Sequence, residues 1–183
     1  MRFFDESLLE DKVLFWNIIP QQRLIPRTES GAMNFLKDLT HDVHHQIVRH
    51  SVRKYKTRSR HHLHPTTYYF FEPEGARVSQ KQNLYFLNTP HIHAVTHFHS
   101  EHSIGRINKK QTYENLKRSI ASTTAVDRFS LDWFDASEGN LNGLIDYCGK
   151  YAFKKDETNE LPSPAYDIVD PERIDFDRFI SDE

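Results

Sequence analysis

The chain has 183 residues, 37% of them hydrophobic and 13% aromatic, with a formal net charge of −2. That length can bury a core within one domain, and no apolar run approaches the roughly 18 residues of a membrane helix. Cys148 is the single cysteine, which excludes an internal disulfide framework and fits a reducing compartment. Met1-Arg2-Phe3-Phe4-Asp5-Glu6 lacks the layout of a signal peptide, so the expected location is cytoplasmic.

The small net charge hides an asymmetry. From Lys155 to Glu183 there are ten acidic residues against Lys155, Arg173 and Arg178, whereas residues 1–154 carry 21 basic and 16 acidic residues. A basic body suits binding to a polyanion. The expected division is one domain over 1–155, followed by an acidic tail of low order over 156–183.

In chain order, Val13-Leu14-Phe15-Trp16-Asn17-Ile18-Ile19 is a β-rich apolar run that Pro20 stops, and it reads as a buried strand. Residues 20–30 read as a loop. Ser30 is the expected cap of a helix with Met33, Leu36, Leu39, Val43 and Ile47 at helical spacing. The helix leads into Arg49, Arg53, Lys54, Lys56, Arg58 and Arg60, interleaved with His50, His61, His62 and His64. These six cations are candidate contacts to nucleic-acid phosphates. Equally, cations are favoured at a solvated helix end.

Thr66–Phe71 reads as the next strand, running into Glu72-Pro73-Glu74-Gly75. A short apolar run over 84–87 follows, then the histidine strand within Asn88-Thr89-Pro90-His91-Ile92-His93-Ala94-Val95-Thr96-His97-Phe98-His99. Residues 100–108 read as loop, about 109–122 as a helix, and Phe129–Phe134 as an alternating strand. A last helix spans about 141–154. The order is β-α-β-β-α-β plus a C-terminal helix, which implies an α+β, ferredoxin-like (RRM-like) antiparallel sheet with helices packed on it.

Alternation on a strand puts His91, His93, Val95, His97 and His99 on one face. Two imidazoles at i and i+2 can share a divalent ion. Glu72, on the neighbouring strand, is the expected carboxylate ligand, with Glu74 the next choice. Two His and a carboxylate leave positions open for substrate. Mg²⁺ is usual against phosphate, and imidazole tilts the choice towards Mn²⁺. His62-Leu63-His64 sits among basic residues before Pro65 and reads as structural, as do His97 and His99.

In the last helix, Leu141, Leu144, Ile145, Cys148 and Ala152 form an apolar stripe. Tyr147 and Tyr151 lie together on its flank at i and i+4, with Lys150 and Lys154 repeating that spacing. A phenol is a poor nucleophile unless its anion or its electrophile is stabilised. A divalent ion polarising a phosphodiester and a lysine beside the developing charge would do both.

Pro90-His91-Ile92-His93-Ala94-Val95 resembles the His-hydrophobe-His motif of HUH endonucleases. Tyr147-Cys148-Gly149-Lys150-Tyr151-Ala152-Phe153-Lys154 resembles their Tyr-x-x-Lys nucleophile motif, doubled as in two-tyrosine phage initiators. The likeness spans about residues 12–155; Phe15–Pro20 meets the first family motif only loosely. It implies a rolling-circle replication initiator, or a transposase or relaxase relative, that nicks and rejoins single-stranded DNA at an origin or hairpin through a 5′-phosphotyrosyl link. It also implies a prokaryotic host cell, whose helicase and polymerase would be partners, and neither a small-molecule cofactor nor a membrane. Other classes fit parts of the sequence. A non-catalytic single-strand binder would stack bases on Tyr68 or Phe70, and a His-rich metal protein would use the histidines alone.

Overall fold

The computed structural model describes residues 13–72, 90–99, 101–134, 143–144, 148 and 166–169. The elements are β1 (Val13–Pro20), α1 (Glu29–Ser51), β2 (Thr66–Glu72), β3 (His91–His97), α2 (Glu101–Ile107), α3 (Lys110–Ala121), β4 (Val126–Trp133) and β5 (Tyr166–Val169), with short 3-10 turns at Gln22–Leu24 and Arg58–Leu63. The strands form one sheet in the order β4-β1-β3-β2-β5. Every neighbouring pair is antiparallel. β3 therefore lies between β1 and β2, and β1 between β3 and β4, which is the split βαβ arrangement of a ferredoxin-like α+β fold.

Alternation along the strands divides the sheet into two faces. Leu14, Trp16 and Ile18 of β1, Tyr69 and Phe71 of β2, Ile92 and Ala94 of β3 and Leu131 of β4 join one buried core with Leu36, Leu39, Val43 and Ile47 of α1 and Leu116 and Ile120 of α3. The other face holds a smaller cluster of Val13, Phe70, Val95 and Cys148, with Phe15, Tyr68, Phe134 and Leu144 packed against it.

α1 begins two residues earlier than Ser30 would place it. Thr28 is the cap, its side-chain oxygen accepting from the Gly31 amide at 3.3 Å. A Cβ at position 31 would lie 2.7 Å from Thr28 Oγ1 and 2.8 Å from Pro26 Cβ, so this close entry favours glycine. Two further expectations are corrected. Residues 101–107 are helical, held by the buried Ile104 and Ile107 and by the Ser103 hydroxyl donating to the Leu63 carbonyl at 2.8 Å. Within the supposed low-order tail of 156–183, Tyr166–Val169 pairs with Thr67–Phe70 of β2, so the sheet does not end at residue 155. The apolar run over 84–87 lies outside the described residues.

A buried polar chain crosses the main core. Trp16 Nε1–H donates to Thr96 Oγ1 at 2.9 Å, the hydroxyls of Thr96 and Thr67 share a hydrogen bond at 2.7 Å, and His44 Nδ1 lies 2.8 Å from Thr67 Oγ1. His44 Nε2 is buried with no partner. Burial foremost, then His41, His64 and His45 nearby, push the His44 pKa down to about 3, so the ring is neutral near pH 7.

Candidate active site

β3 is central because β1 and β2 both pair with it along its length, and the backbone groups of a flanked strand are satisfied on both sides. That rigidity fixes His91 and His93. His93 is buried, and its ring stacks on Phe15 with centroids 6.3 Å apart. His91 is half-buried, and its ring centroid lies 6.2 Å from that of His93. Two imidazoles bound to one ion through bonds of about 2.1 Å hold their ring centres about 5 Å apart at tetrahedral or cis-octahedral angles. The two rings would therefore have to close by about 1 Å to share one divalent ion.

The ladder pairs His91 with Glu72, and it pairs His93 with Phe70 on one side and Asn17 on the other. Glu72 thus occupies the expected register, although its side chain is outside the described set, as is Glu74. Among the described residues, no three His, Cys, Asp or Glu side chains gather as a metal site. Asn17 went unrecognised as a candidate on sequence, where it reads as one polar residue in an apolar strand. In the structure its Oδ1 is buried, and no donor among the described residues reaches it. An unsatisfied oxygen beside a His pair fits a divalent ion.

The second motif lies partly in view. Gly143, Leu144 and Cys148 are helical. Cys148 is 2% exposed and shares a cluster with Phe70, the ladder partner of His93, and with Val95, the next residue after His93 on that face. Leu144 packs against the same cluster, one helical turn earlier. Leu144 and Cys148, the described members of the expected apolar stripe, are therefore seated on the histidine face. Tyr147, Lys150, Tyr151 and Lys154 lie outside the described residues.

This packing bears on the base-stacking alternative. Phe70 is 4% exposed and Tyr68 is half-buried against the Cys148 cluster, so Phe70 presents no open ring to a base. His97 and His99 stand apart from the His91 end. Their rings are 4.6 Å apart, and His99 Nε2 lies 2.7 Å from Thr66 Oγ1. His64 is buried with Nε2 3.0 Å from the Tyr55 carbonyl oxygen, and His62 is exposed. The His62-Leu63-His64 sequence is thus split between core and solvent.

Arg49, Arg53, Lys54, Lys56, Arg58 and Arg60 are all exposed, spread over the end of α1, the following turn and the 3-10 segment. Lys54 takes a left-handed backbone (φ 55°), which tightens that turn. The segment feeds into Thr66, which pairs with His97, whereas Glu72 pairs with His91. The basic surface and His91 therefore sit at opposite ends of β3, about 20 Å apart along the strand. Sequence proximity gave no hint of this separation.

No described helix is long and apolar enough to cross a membrane. Compared with protein-family models, curated proteins and solved structures, the chain matches none.

Proposed function

We propose that this chain is a metal-dependent enzyme that nicks and rejoins single-stranded DNA, of the HUH endonuclease type that initiates rolling-circle replication. The observation that carries the reading is the seating of Cys148. This residue adjoins Tyr147 in the chain and is packed beside the ladder partner of His93. A Tyr-x-x-Lys motif that adjoins Cys148, and a His-x-His strand on the sheet face where Cys148 packs, have the makings of a single phosphodiester site.

In this reading His91 and His93 would hold Mn²⁺ or Mg²⁺, with Glu72 in register beside them. Such an ion, when bound, would supply Lewis-acid polarisation of the scissile phosphate. The hydroxyl of Tyr147 or Tyr151 attacks phosphorus, and the bond from phosphorus to the 3′ oxygen breaks. The phenol loses a proton and the 3′ oxygen gains one, which leaves a 5′-phosphotyrosyl link and a free 3′-OH. Lys150 and Lys154 stabilise the charge that develops on the phenolate and phosphate oxygens. Rejoining is the reverse attack by a 3′-OH, and a second tyrosine lets one cut proceed while the first still holds DNA. The six exposed cations hold DNA away from the cut, and host helicase and polymerase extend the freed 3′ end. A transposase or relaxase would use the same chemistry on a different DNA.

The test is incubation with a pool of single-stranded oligonucleotides and Mn²⁺, read on a denaturing gel. A metal-dependent protein–DNA adduct supports the reading. Salt-sensitive binding with no adduct on any DNA would identify a non-catalytic binder instead.

A further inference from the structure

Asn17 stands on the histidine face of β1, between Trp16 and Ile18, which belong to the main core. It faces His93 directly across the ladder, just as Glu72 faces His91 from the opposite strand. In the ladder, His93 of β3 is thus paired with Asn17 and His91 with Glu72. Side chains opposed in an antiparallel pair keep their Cβ atoms about 5 Å apart. Bonds of about 2.1 Å to nitrogen and oxygen let one ion bridge an Asn and a His across that gap.

A buried carbonyl oxygen without a donor is costly, because it has given up water and received nothing. Asn17 Oδ1 is such an atom, and it lies next to the proposed metal pair. An amide oxygen has no proton to lose and is a hard donor, suited to Mn²⁺ or Mg²⁺. If Asn17 oriented the His93 ring instead, its oxygen would accept from a ring N–H, and no described donor, the His93 ring included, reaches it. We propose that Asn17 Oδ1 is a direct ligand of the divalent ion held by His91 and His93. The inference rests on the metal-site reading above.

The test measures Mn²⁺ affinity of the full chain without DNA, by paramagnetic resonance of the free ion, together with thermal melts with and without Mn²⁺. Asn17→Ala is expected to weaken Mn²⁺ at least about tenfold. Its metal-free melting temperature should be unchanged or higher, since the variant buries no orphan oxygen. Its gain in melting temperature on adding Mn²⁺ should shrink. Asn17→Asp, which keeps the oxygen and adds charge, should bind Mn²⁺ at least as tightly as the parent. Unaltered Mn²⁺ affinity in Asn17→Ala overturns the proposal, and so does an Asn17→Asp variant as weak as Asn17→Ala. Mn²⁺ binding that depends on Asn17, in a protein that forms no DNA adduct, supports the ligand and sinks the nicking reading. An adduct with Mn²⁺ affinity indifferent to Asn17 does the reverse, and a chain that binds no Mn²⁺ overturns both.

Discussion

The two faces of the sheet draw on the same strands but bury different chemistry. On the helix-covered face, β3 contributes Ile92, Ala94 and Thr96, and each meets a partner: apolar neighbours for the first two, and the Trp16–Thr96–Thr67–His44 chain for the third. On the other face the intervening residues are His91, His93, Val95 and His97, and only Val95 joins a hydrophobic cluster. Asn17 adds a buried oxygen there that no described donor reaches. One strand thus presents an apolar, helix-covered surface that specifies the fold and an imidazole-rich surface that suits a ligand. Natural sequences break local consistency mainly at functional sites, at some cost in stability.

Substitutions should separate the faces, and the largest effect is expected from the nucleophiles. Replacing both Tyr147 and Tyr151 by Phe should abolish the covalent adduct, while His93→Ala should slow its formation about a hundredfold or more. The tyrosine changes remove only hydroxyls and should shift the denaturation midpoint little, whereas His93→Ala, which empties a buried site against Phe15, should shift it as well. Next, Leu36→Ala on α1, fully buried in the main core, should cost about 2–5 kcal/mol in chemical denaturation. Mn²⁺ affinity measured on its folded fraction should not move. An adduct rate that tracked Leu36 and ignored His93 would break the division.

Acid should act through the helix-covered face. The folded-state pKa of His44 is lowered from 6.5 to about 3, chiefly by burial, so below about pH 6.5 the unfolded chain takes up the proton first. The stability that His44 holds above that pH is lost as pH falls towards 3, amounting to about 2 kcal/mol by pH 5. His64, pushed down to about 4 by burial ahead of the opposing Tyr55 carbonyl bond, adds loss in the same direction. Urea melts between pH 7.5 and 5 should show this slope, and His44→Gln should flatten it. The smallest effect is expected from Trp16→Phe, which removes the indole N–H that Thr96 accepts. It should cost about 1 kcal/mol from that bond and leave Mn²⁺ affinity unchanged.

How much of this was legible from residues alone depended on the range of the signal. The runs at 13–20, 66–72 and 91–97 and the helical spacing of α1 and α3 are local patterns, and they read directly as elements. α2 escaped because a seven-residue helix with Gly105 offers only Ile104 and Ile107 as its period. β5 escaped because Tyr166–Val169 is four residues set among prolines and acids, and its support is the edge of β2. At the candidate site, His91 and His93 followed from alternation, and the seating of Cys148 followed from helical spacing. Asn17 could not be found that way. Its meaning comes from standing opposite His93 and lacking a donor, and both are properties of the ladder register. The separation of the basic surface from His91 was likewise hidden, because it depends on which end of β2 the segment enters.

The central claim is that the histidine strand and the tyrosine helix form one DNA-cutting site. Mass mapping of the tryptic peptide that carries covalently attached nucleotide, after reaction with single-stranded DNA, tests it most directly. The account predicts a phosphodiester-linked nucleotide on Tyr147 or Tyr151, formed only with a divalent ion and lost in a chain carrying both His91→Ala and His93→Ala. Attachment at any other residue, or attachment at these tyrosines that ignores both the ion and the two histidines, would contradict it.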